Sequence, residues 1–388
     1  MSVGVWKLTV RLAAVLWLAV AGAQTAIAGI SEFNDAMRRG DVKAASAEAV
    51  EIWKTWDRAD RDTALMAREV GFVSMLAGDY EAARDFGKFL ADEGAGLAVP
   101  DAHPLTSAVL LHASTHWLEN KGETREALLA ALNARLAVEG VDLISANGAE
   151  ILYSNDWQKG DWSALEESAP IAIELLGRGQ AGLLPRLRRA ELVAAAANFL
   201  NQRRNLNNSR NDTYGVMADV HDQIVANLDD DEYASIRSRL WPLKWESEAW
   251  ANAMAAYLTS DYSGIDTLIQ RKLDPRPLVS PSVGYIAEDP ELAPYPLCEG
   301  SFEGRRIRYP SNRAFAGVVG SVIVRLETDD KGEVIDSELL ASIPLESFSE
   351  AVLKAVSTWR YEPAKDADLR SCRLQSSNRV LRVTFLIS

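Results

Sequence analysis

The chain has 388 residues, of which 48% are hydrophobic and 25% are charged. This composition is typical of a globular protein and the length suffices for about two domains, so extensive disorder is not expected. The 41 Lys and Arg residues against 55 Asp and Glu residues give a formal net charge of -14, which disfavours nucleic acid as a partner because phosphate backbones would be repelled.

The N-terminus has the pattern of an export signal. Lys7 and Arg11 supply positive charge before and at the edge of an apolar stretch that covers residues 12–23. Ala26 and Ala28 then form a small-x-small cleavage pattern, which predicts removal of residues 1–28 and a periplasmic protein. The alternative is an uncleaved anchor that holds the protein in the inner membrane facing the periplasm, because apolar character resumes around the cleavage pattern.

From residue 29 to residue 273 the apolar residues recur at helical spacing. A short motif returns at intervals of about 40 residues in this region. Its copies are Gly40-Asp41, Gly78-Asp79, Gly122-Glu123 and Gly160-Asp161, and the residues five positions after each Gly are Ala45, Ala83, Ala127 and Leu165. A Gly in the left-handed conformation ends one helix and the following acid caps the next, so each copy predicts the turn of a helical hairpin.

The segment Leu76–Ala83 resembles the turn and second helix of a tetratricopeptide repeat. The other copies are looser, and their intervals exceed that family's usual period of about 34 residues. Because single hairpins cannot bury their apolar faces, we expect them to stack into a solenoid with a concave protein-binding surface. An irregular helical bundle is the alternative interpretation.

Six prolines between Pro275 and Pro296 end the helical pattern. Proline removes backbone donors and disfavours helix, so this stretch predicts a domain boundary. We place a Pro-rich linker at residues 274–300.

After the linker the pattern changes to strands and one helix. Alternating residues around Val322–Leu326 predict a strand, Asp329–Gly332 a hairpin turn, and Val334–Leu340 the return strand. Apolar residues from Phe348 to Trp359 recur at helical spacing, before Pro363 stops that helix. A last strand is predicted at Val380–Ile387.

This order of elements, from about Tyr309 to the C-terminus, resembles the TonB C-terminal domain family. The residues that carry the resemblance are Tyr309, Pro310, Gly317, Gly320, Val322, Val324, Leu326, Asp329, Gly332, Val334, Ser342, Phe348, Ala351, Leu353, Ala355 and Trp359–Ala364. The chain departs from the family at Arg313, where a small residue is usual, and in the longer, more polar segment Lys365–Arg379.

The resemblance implies a small α+β domain that binds outer-membrane receptors when an extended peptide pairs with an open sheet edge. The candidate edge residues are Arg379, Val380, Leu381, Arg382, Val383, Thr384 and Phe385. Backbone groups would supply the affinity. Arg379, Arg382 and Thr384 would adjust selectivity, whereas Leu381, Val383 and Phe385 are expected to face the core.

Cys298 and Cys372 are the two cysteines of the chain. An oxidising periplasm would permit them to form a disulfide, and two free buried thiols are the alternative.

Motifs for catalysis and cofactor binding are missing from the sequence. His112 and His116 stand one helical turn apart, and Glu119 could complete a zinc site, but two helical histidines are more often ordinary polar positions. We find no nucleophile elbow, phosphate loop or dinucleotide motif. The sequence therefore predicts no enzyme activity, no catalytic residue, no metal site, no cofactor and no small-molecule substrate.

We therefore expect a multidomain protein, an all-α helical-hairpin solenoid similar to tetratricopeptide repeats followed by a small α+β domain similar to the TonB C-terminal domain. The predicted segments are a signal peptide (1–28), the helical repeats (29–273), the linker (274–300) and the C-terminal domain (301–388). The predicted function is a non-catalytic periplasmic adaptor. Its C-terminal domain engages one protein by strand pairing, which links the chain to envelope transport, and its repeats engage another. The alternative is a membrane-anchored component similar to the energy transducers of TonB-dependent transport.

Overall fold

The structure is a computed structural model. It describes residues 30–58, 62–93, 103–118, 123–137, 140–202, 210–259, 296–310, 318–344 and 348–385. The predicted signal peptide, with Ala26 and Ala28, and most of the predicted linker lie outside these ranges.

Helices make up the part of the chain that precedes the predicted linker. Their bounds are α1 (Ile30–Arg39), α2 (Val42–Thr55), α3 (Thr63–Ala77), α4 (Tyr80–Glu93), α5 (His103–Leu118), α6 (Glu123–Leu136), α7 (Leu143–Lys159), α8 (Trp162–Gly177), α9 (Leu184–Gln202), α10 (Arg210–Asp229) and α11 (Arg237–Thr259). Short 3-10 helices at Ala181–Leu183 and Asp231–Ile236 lead into α9 and α11. This succession of helices is consistent with a helical repeat solenoid.

Three of the four predicted Gly-acid turns are described, and all three have the expected geometry. Gly40, Gly78 and Gly160 adopt φ angles of 74°, 79° and 68°, a region that L side chains rarely enter. The aspartate after each glycine accepts a hydrogen bond from the backbone N–H three residues further on, at 3.0–3.1 Å. Glycine thus ends one helix and aspartate caps the next, as the motif predicts. Gly122 lies outside the described residues.

The residue five positions after the glycine follows the motif in three copies. Ala45, Ala83 and Leu165 are buried, whereas Ala127 is exposed and the next residue, Leu128, is buried instead. Ala127 therefore differs in burial from its counterparts in the other three copies. The buried face of α6 is displaced by one residue relative to the motif, so spacing alone did not locate it.

The sequence motif also missed one turn. Gly140 has a φ of 75°, and the side chain of Asp142 caps α7 by accepting from the backbone N–H of Ser145 at 2.7 Å. The Ser145 hydroxyl in turn accepts from the backbone N–H of Asp142 at 3.2 Å, which makes a reciprocal cap. Val141 separates the glycine from the aspartate, so the turn does not match the Gly-acid pattern.

The chain divides into two compact units, residues 1–156 with 167–179 and residues 157–166 with 180–388. In the first unit, the apolar residues of α1–α5 form one core, in which Trp53 lies edge-on against Phe86 and Phe89 at centroid distances of 5.0 and 5.1 Å. In the second, α9, α10 and α11 are grouped with the C-terminal strands. This division falls within the helical region, and the predicted domain bounds stay a prediction.

The C-terminal part contains two small antiparallel sheets and one helix. The elements are β1 (Gly300–Glu303), β2 (Gly320–Thr328), β3 (Val334–Ile343), α12 (Phe348–Val356), β4 (Arg360–Pro363) and β5 (Ser376–Phe385). One sheet pairs β1 with β4, and the other has the order β3-β2-β5. The predicted α+β domain is confirmed.

The predicted hairpin turn is present between β2 and β3. Gly332 has a φ of 80°, and the side chain of Asp329 accepts from the backbone N–H groups of Lys331 and Glu333 at 2.9 and 2.8 Å. Such a side-chain turn explains why aspartate and glycine stand at these positions.

The observed helix α12 is shorter than the apolar pattern of residues 348–359 predicted. It ends at Val356, because the chain that follows pairs with the hairpin. Val334 N–H donates to the Trp359 carbonyl at 3.0 Å, and Tyr361 N–H donates to the Gly332 carbonyl at 2.7 Å. The sequence analysis missed β4 and its partner β1, since strands of four residues give too short an alternation to recognise.

One face of the three-stranded sheet carries the core of this part of the chain. Val322, Val324 and Leu326 of β2 point to the same side and are fully buried with Phe348 and Val352 of α12. The predicted alternation of β2 is confirmed.

The other face of this sheet is covered by α11. Ile323 and Ala341 are paired on that face and are 0% and 5% exposed, because α11 packs against β2, β3 and β5. On its other sides α11 contacts α9 and α10. The sheet is thus the middle layer between α11 and α12, an arrangement that the sequence analysis did not predict.

The predicted disulfide between Cys298 and Cys372 is present, with a Cα–Cα distance of 4.9 Å. It ties the residues before β1 to the connection before β5. Backbone bonds support the same junction, since Cys298 N–H donates to the Arg373 carbonyl at 3.0 Å and Arg373 N–H donates to the Pro296 carbonyl at 2.9 Å. The polar segment before β5 is therefore anchored at the position where the strand begins.

Replacing both Cys298 and Cys372 with Ser should lower the free energy of unfolding by about 2–4 kcal/mol, because the bond closes a long loop in the unfolded chain. The sequence separation of the two residues is 74. Urea unfolding of both proteins measures the difference. Thiol titration of the unfolded, unreduced wild-type protein should find no free thiol, and two titratable thiols would contradict the disulfide.

Candidate protein-binding edge

The strand β5 lies at one end of the three-stranded sheet. Within the described part of the chain it pairs with β2 and with no other strand. The pairing is regular over seven consecutive residue pairs, from Gly320 with Phe385 to Leu326 with Arg379. This regular run, residues 379–385, is the segment selected from the sequence as the candidate edge.

The opposite edge of the sheet, β3, is less suited to pairing with another chain. Two register shifts interrupt its pairing with β2 and leave Leu340 and Ile335 without a direct partner on that strand. The residue before β3, Glu333, forms a β-bridge with Arg360 at the start of β4. Bulges and neighbouring segments hinder strand addition, so β5 is the better candidate of the two edges among the described residues.

Side chains of β5 alternate between the two helical layers. Leu381, Val383 and Phe385 pack against the core that includes α12. Arg382 points to the opposite side, where its guanidinium reaches α11, and Thr384 is exposed. The alternation of the strand explains this arrangement.

Arg379 differs from Arg382 in its surroundings. Its guanidinium lies 3.7 Å from the ring centroid of Tyr361, and its Nη2 donates to the Leu374 carbonyl at 3.3 Å. Arg379 therefore stabilises the junction before β5. Arg382, whose side chain is 47% exposed, is the cation at the rim of the edge.

Arg382 belongs to a cluster that the sequence analysis missed. Its Nε and Nη2 bind the carboxylate of Glu248 on α11, the second contact at 3.5 Å. Lys244, one helical turn earlier, lies 3.5 Å from the same carboxylate and 3.4 Å from the ring centroid of Trp245. Glu248 and Arg382 are 134 residues apart in the sequence, so no local pattern could have joined them.

The cluster sets the charge states of its members. Burial would raise the pKa of Glu248, but the hydrogen bond and charge of Arg382, with the charges of Lys244 and His221, outweigh it and lower that pKa. Burial lowers the pKa of Lys244. The nearby charge of Arg382 lowers it further, whereas the carboxylate of Glu248 acts in the opposite direction. Two cations thus share one carboxylate at the junction of α11 and β5.

Glu246 lies on another side of α11, and its pKa is shifted in the opposite direction from that of Glu248. Its carboxylate accepts from Arg189 of α9 at 2.8 Å, while its Oε1 has no hydrogen-bond partner among the described residues. Burial raises the pKa of Glu246, and the nearby Arg189 only partly offsets that effect.

The structure describes only one side chain of the histidine pair considered from the sequence. His112 is buried, and its Nδ1 lies 3.1 Å from the Thr124 hydroxyl. The side chains of His116 and Glu119 are outside the described part. Where the structure describes the chain, no group of three or more His, Cys, Asp or Glu side chains could hold a metal ion. Nor do the described helices include one long and apolar enough to span a membrane.

The two glutamates of α11 predict opposite dependences of stability on pH. Since the pKa of Glu246 is raised from its ordinary value of 4.5, its contribution to folding is lost as pH rises from that value through the raised pKa. Since the pKa of Glu248 is lowered from 4.5, its contribution is present above 4.5 and lost as pH falls through the lowered pKa.

Urea unfolding at several pH values checks this with the matched variants Glu246→Gln and Glu248→Gln. The stability of wild type relative to Glu246→Gln should decrease with rising pH, and relative to Glu248→Gln it should decrease with falling pH. If both stability differences changed in the same direction with pH, the opposite pKa shifts of Glu246 and Glu248 would be contradicted.

Residues 305–377 match the family described as Gram-negative bacterial TonB protein C-terminal. The match starts after β1 and stops at the beginning of β5, so the regular run 379–385 follows directly after it. No curated protein and no solved structure matches the chain. The β2–β3 hairpin, α12 and the start of β5 thus lie in a domain of the TonB C-terminal family, at residues 305–377 of this chain.

Proposed function

We propose that this protein is a non-catalytic periplasmic adaptor whose β5 edge pairs with an extended segment of a partner protein. The observation that carries the proposal is the regular run of residues 379–385 at the end of the sheet, with β2 on one side and no described strand on the other. An open strand of this length offers several backbone N–H and C=O groups to another chain.

The attachment of the strand at its start supports this role. The disulfide holds the connection before β5, and Thr328 of β2 donates from its hydroxyl to the Leu374 carbonyl at 2.8 Å. Helices α11 and α12 cover the two faces of the sheet. A strand held in this way has lost its conformational freedom before binding, so a partner has less entropy to remove.

The match to the TonB C-terminal family supports a protein partner in the cell envelope. The N-terminal export pattern and the disulfide agree with the periplasm, where disulfides persist. In this proposal the helical repeats bind a second protein, so that the two parts of the chain bring two envelope components together.

Site-specific photo-crosslinking tests the proposed edge. A photoreactive residue at Thr384, exposed on β5, should cross-link the partner in periplasmic extract, whereas one at Asp336, exposed on the opposite edge strand β3, serves as the matched control. The partner identified in this way is then purified, and hydrogen exchange is measured on its complex with the full chain. The amides of residues 379–385 that point away from β2 should become protected and those of β3 should not change. Unchanged exchange along β5 in the complex would contradict the proposal.

A further inference from the structure

A strand added to β5 would have different surroundings on its two faces. Helix α11 contacts β5 on one face of the sheet, the apolar core that includes residues of α12 lies on the other, and side chains of any strand alternate between the faces. Every second side chain of the incoming strand would therefore lie beside Arg382 and α11. The side chains between them would lie beside Leu381 and Val383.

The α11 side of this edge carries an excess of positive charge. Arg382 and Lys244 are both cationic and share the single carboxylate of Glu248. Arg382 uses Nε and Nη2 for that carboxylate, and its Nη1 binds no described residue. Because the Arg382 side chain is 47% exposed, its guanidinium can donate hydrogen bonds to a second anion from the solvent side.

The α12 side of the edge is apolar. Leu381 and Val383 are partly buried hydrophobic residues at the margin of the core beneath them. Apolar side chains on a neighbouring strand would extend that core, and cross-strand pairs of this kind contribute to sheet stability.

On the basis of the proposed strand pairing, we infer that α11 and β5 together select an extended peptide with an acidic side chain opposite Arg382 and apolar side chains at the two adjacent positions. Helix α11 is part of the binding surface because Lys244 and Glu248 determine how much of the Arg382 charge remains available. The last described helix of the helical region and the C-terminal domain thus recognise the same segment of the partner, and the preceding helices remain available for the second protein.

A second copy of the chain fits this edge less well. Antiparallel pairing of two β5 strands about a twofold axis perpendicular to the sheet would bring both Arg382 clusters to the same face. Like charges on facing strands are destabilising. The acidic peptide is therefore the occupant to which the charges of the edge are complementary.

Two synthetic peptides test the inference with the full chain. They share an alternating sequence of Val and Thr and differ only in the central residue, Glu or Lys. At low ionic strength the Glu peptide should bind about fivefold more tightly by fluorescence anisotropy, because the Lys peptide meets a like charge. Arg382→Glu should reverse this preference.

Two further variants examine the contribution of α11. Lys244→Gln should weaken the preference for the Glu peptide and Glu248→Gln should strengthen it, since they remove a positive and a negative charge from the cluster. Arg360→Glu is the control. Arg360 also bridges a glutamate, at 3.2 Å, and its side chain is 52% exposed, but it lies on β4 in the other sheet, so the preference should not change.

Hydrogen exchange separates failure of this inference from failure of the proposed function. Equal binding of both peptides with protection of residues 379–385 would contradict the selectivity for acidic peptides and leave strand pairing intact. Binding of neither peptide to β5 would contradict both. A dimer of the full chain that protects the same amides without peptide would assign the edge to a second copy and overturn the inference.

Discussion

The packing of α11 against the outer face of the β3-β2-β5 sheet is the contact on which the rest of the C-terminal architecture depends. Without it, Ile323 and Ala341 would expose an apolar face to water, at a cost of roughly 25 cal/mol per Å². With it, both faces of the sheet are covered. Among the described residues, β5 then remains an edge strand that pairs with β2 alone, which leaves its other backbone groups for the proposed strand pairing.

Polar contacts decide how α11 and the edge strand are joined. Arg382 and Glu248 connect the two elements directly, and Lys244 adds a second cation to the same carboxylate. The whole chain has a net charge of -14, so the local excess of positive charge at the edge is opposite in sign to the net charge of the protein. Such a local field can orient an acidic segment even though the protein as a whole repels anions.

Local signals in the sequence predicted much of the fold. The Gly-Asp pairs located the turns at Gly40, Gly78 and Gly160, because positive φ and helix capping depend on adjacent residues. The alternation of β2 and the Asp329–Gly332 turn likewise identified the hairpin. The strands β1 and β4 and the layer formed by α11 were missed, since short strands carry little periodicity and contacts between distant residues leave no local pattern.

The candidate site shows the same limit. The segment 379–385 could be selected from its resemblance to a known domain and from its alternation, and the structure locates this segment in the regular run of β5. Glu248 and Lys244 could not be selected, because on their own helix they resemble an ordinary pair of opposite charges one turn apart. The contact of this pair with Arg382 of the edge strand follows from tertiary packing.

A double-mutant cycle between Glu248 and Arg382 measures the contact of α11 with the edge strand most directly. The free energy of unfolding of wild type, Glu248→Gln, Arg382→Gln and the double variant gives the coupling energy of the pair. If α11 covers the sheet as described, the coupling should be favourable by at least about 0.5 kcal/mol. Additive effects of the two substitutions would contradict the Glu248–Arg382 contact that joins α11 to β5.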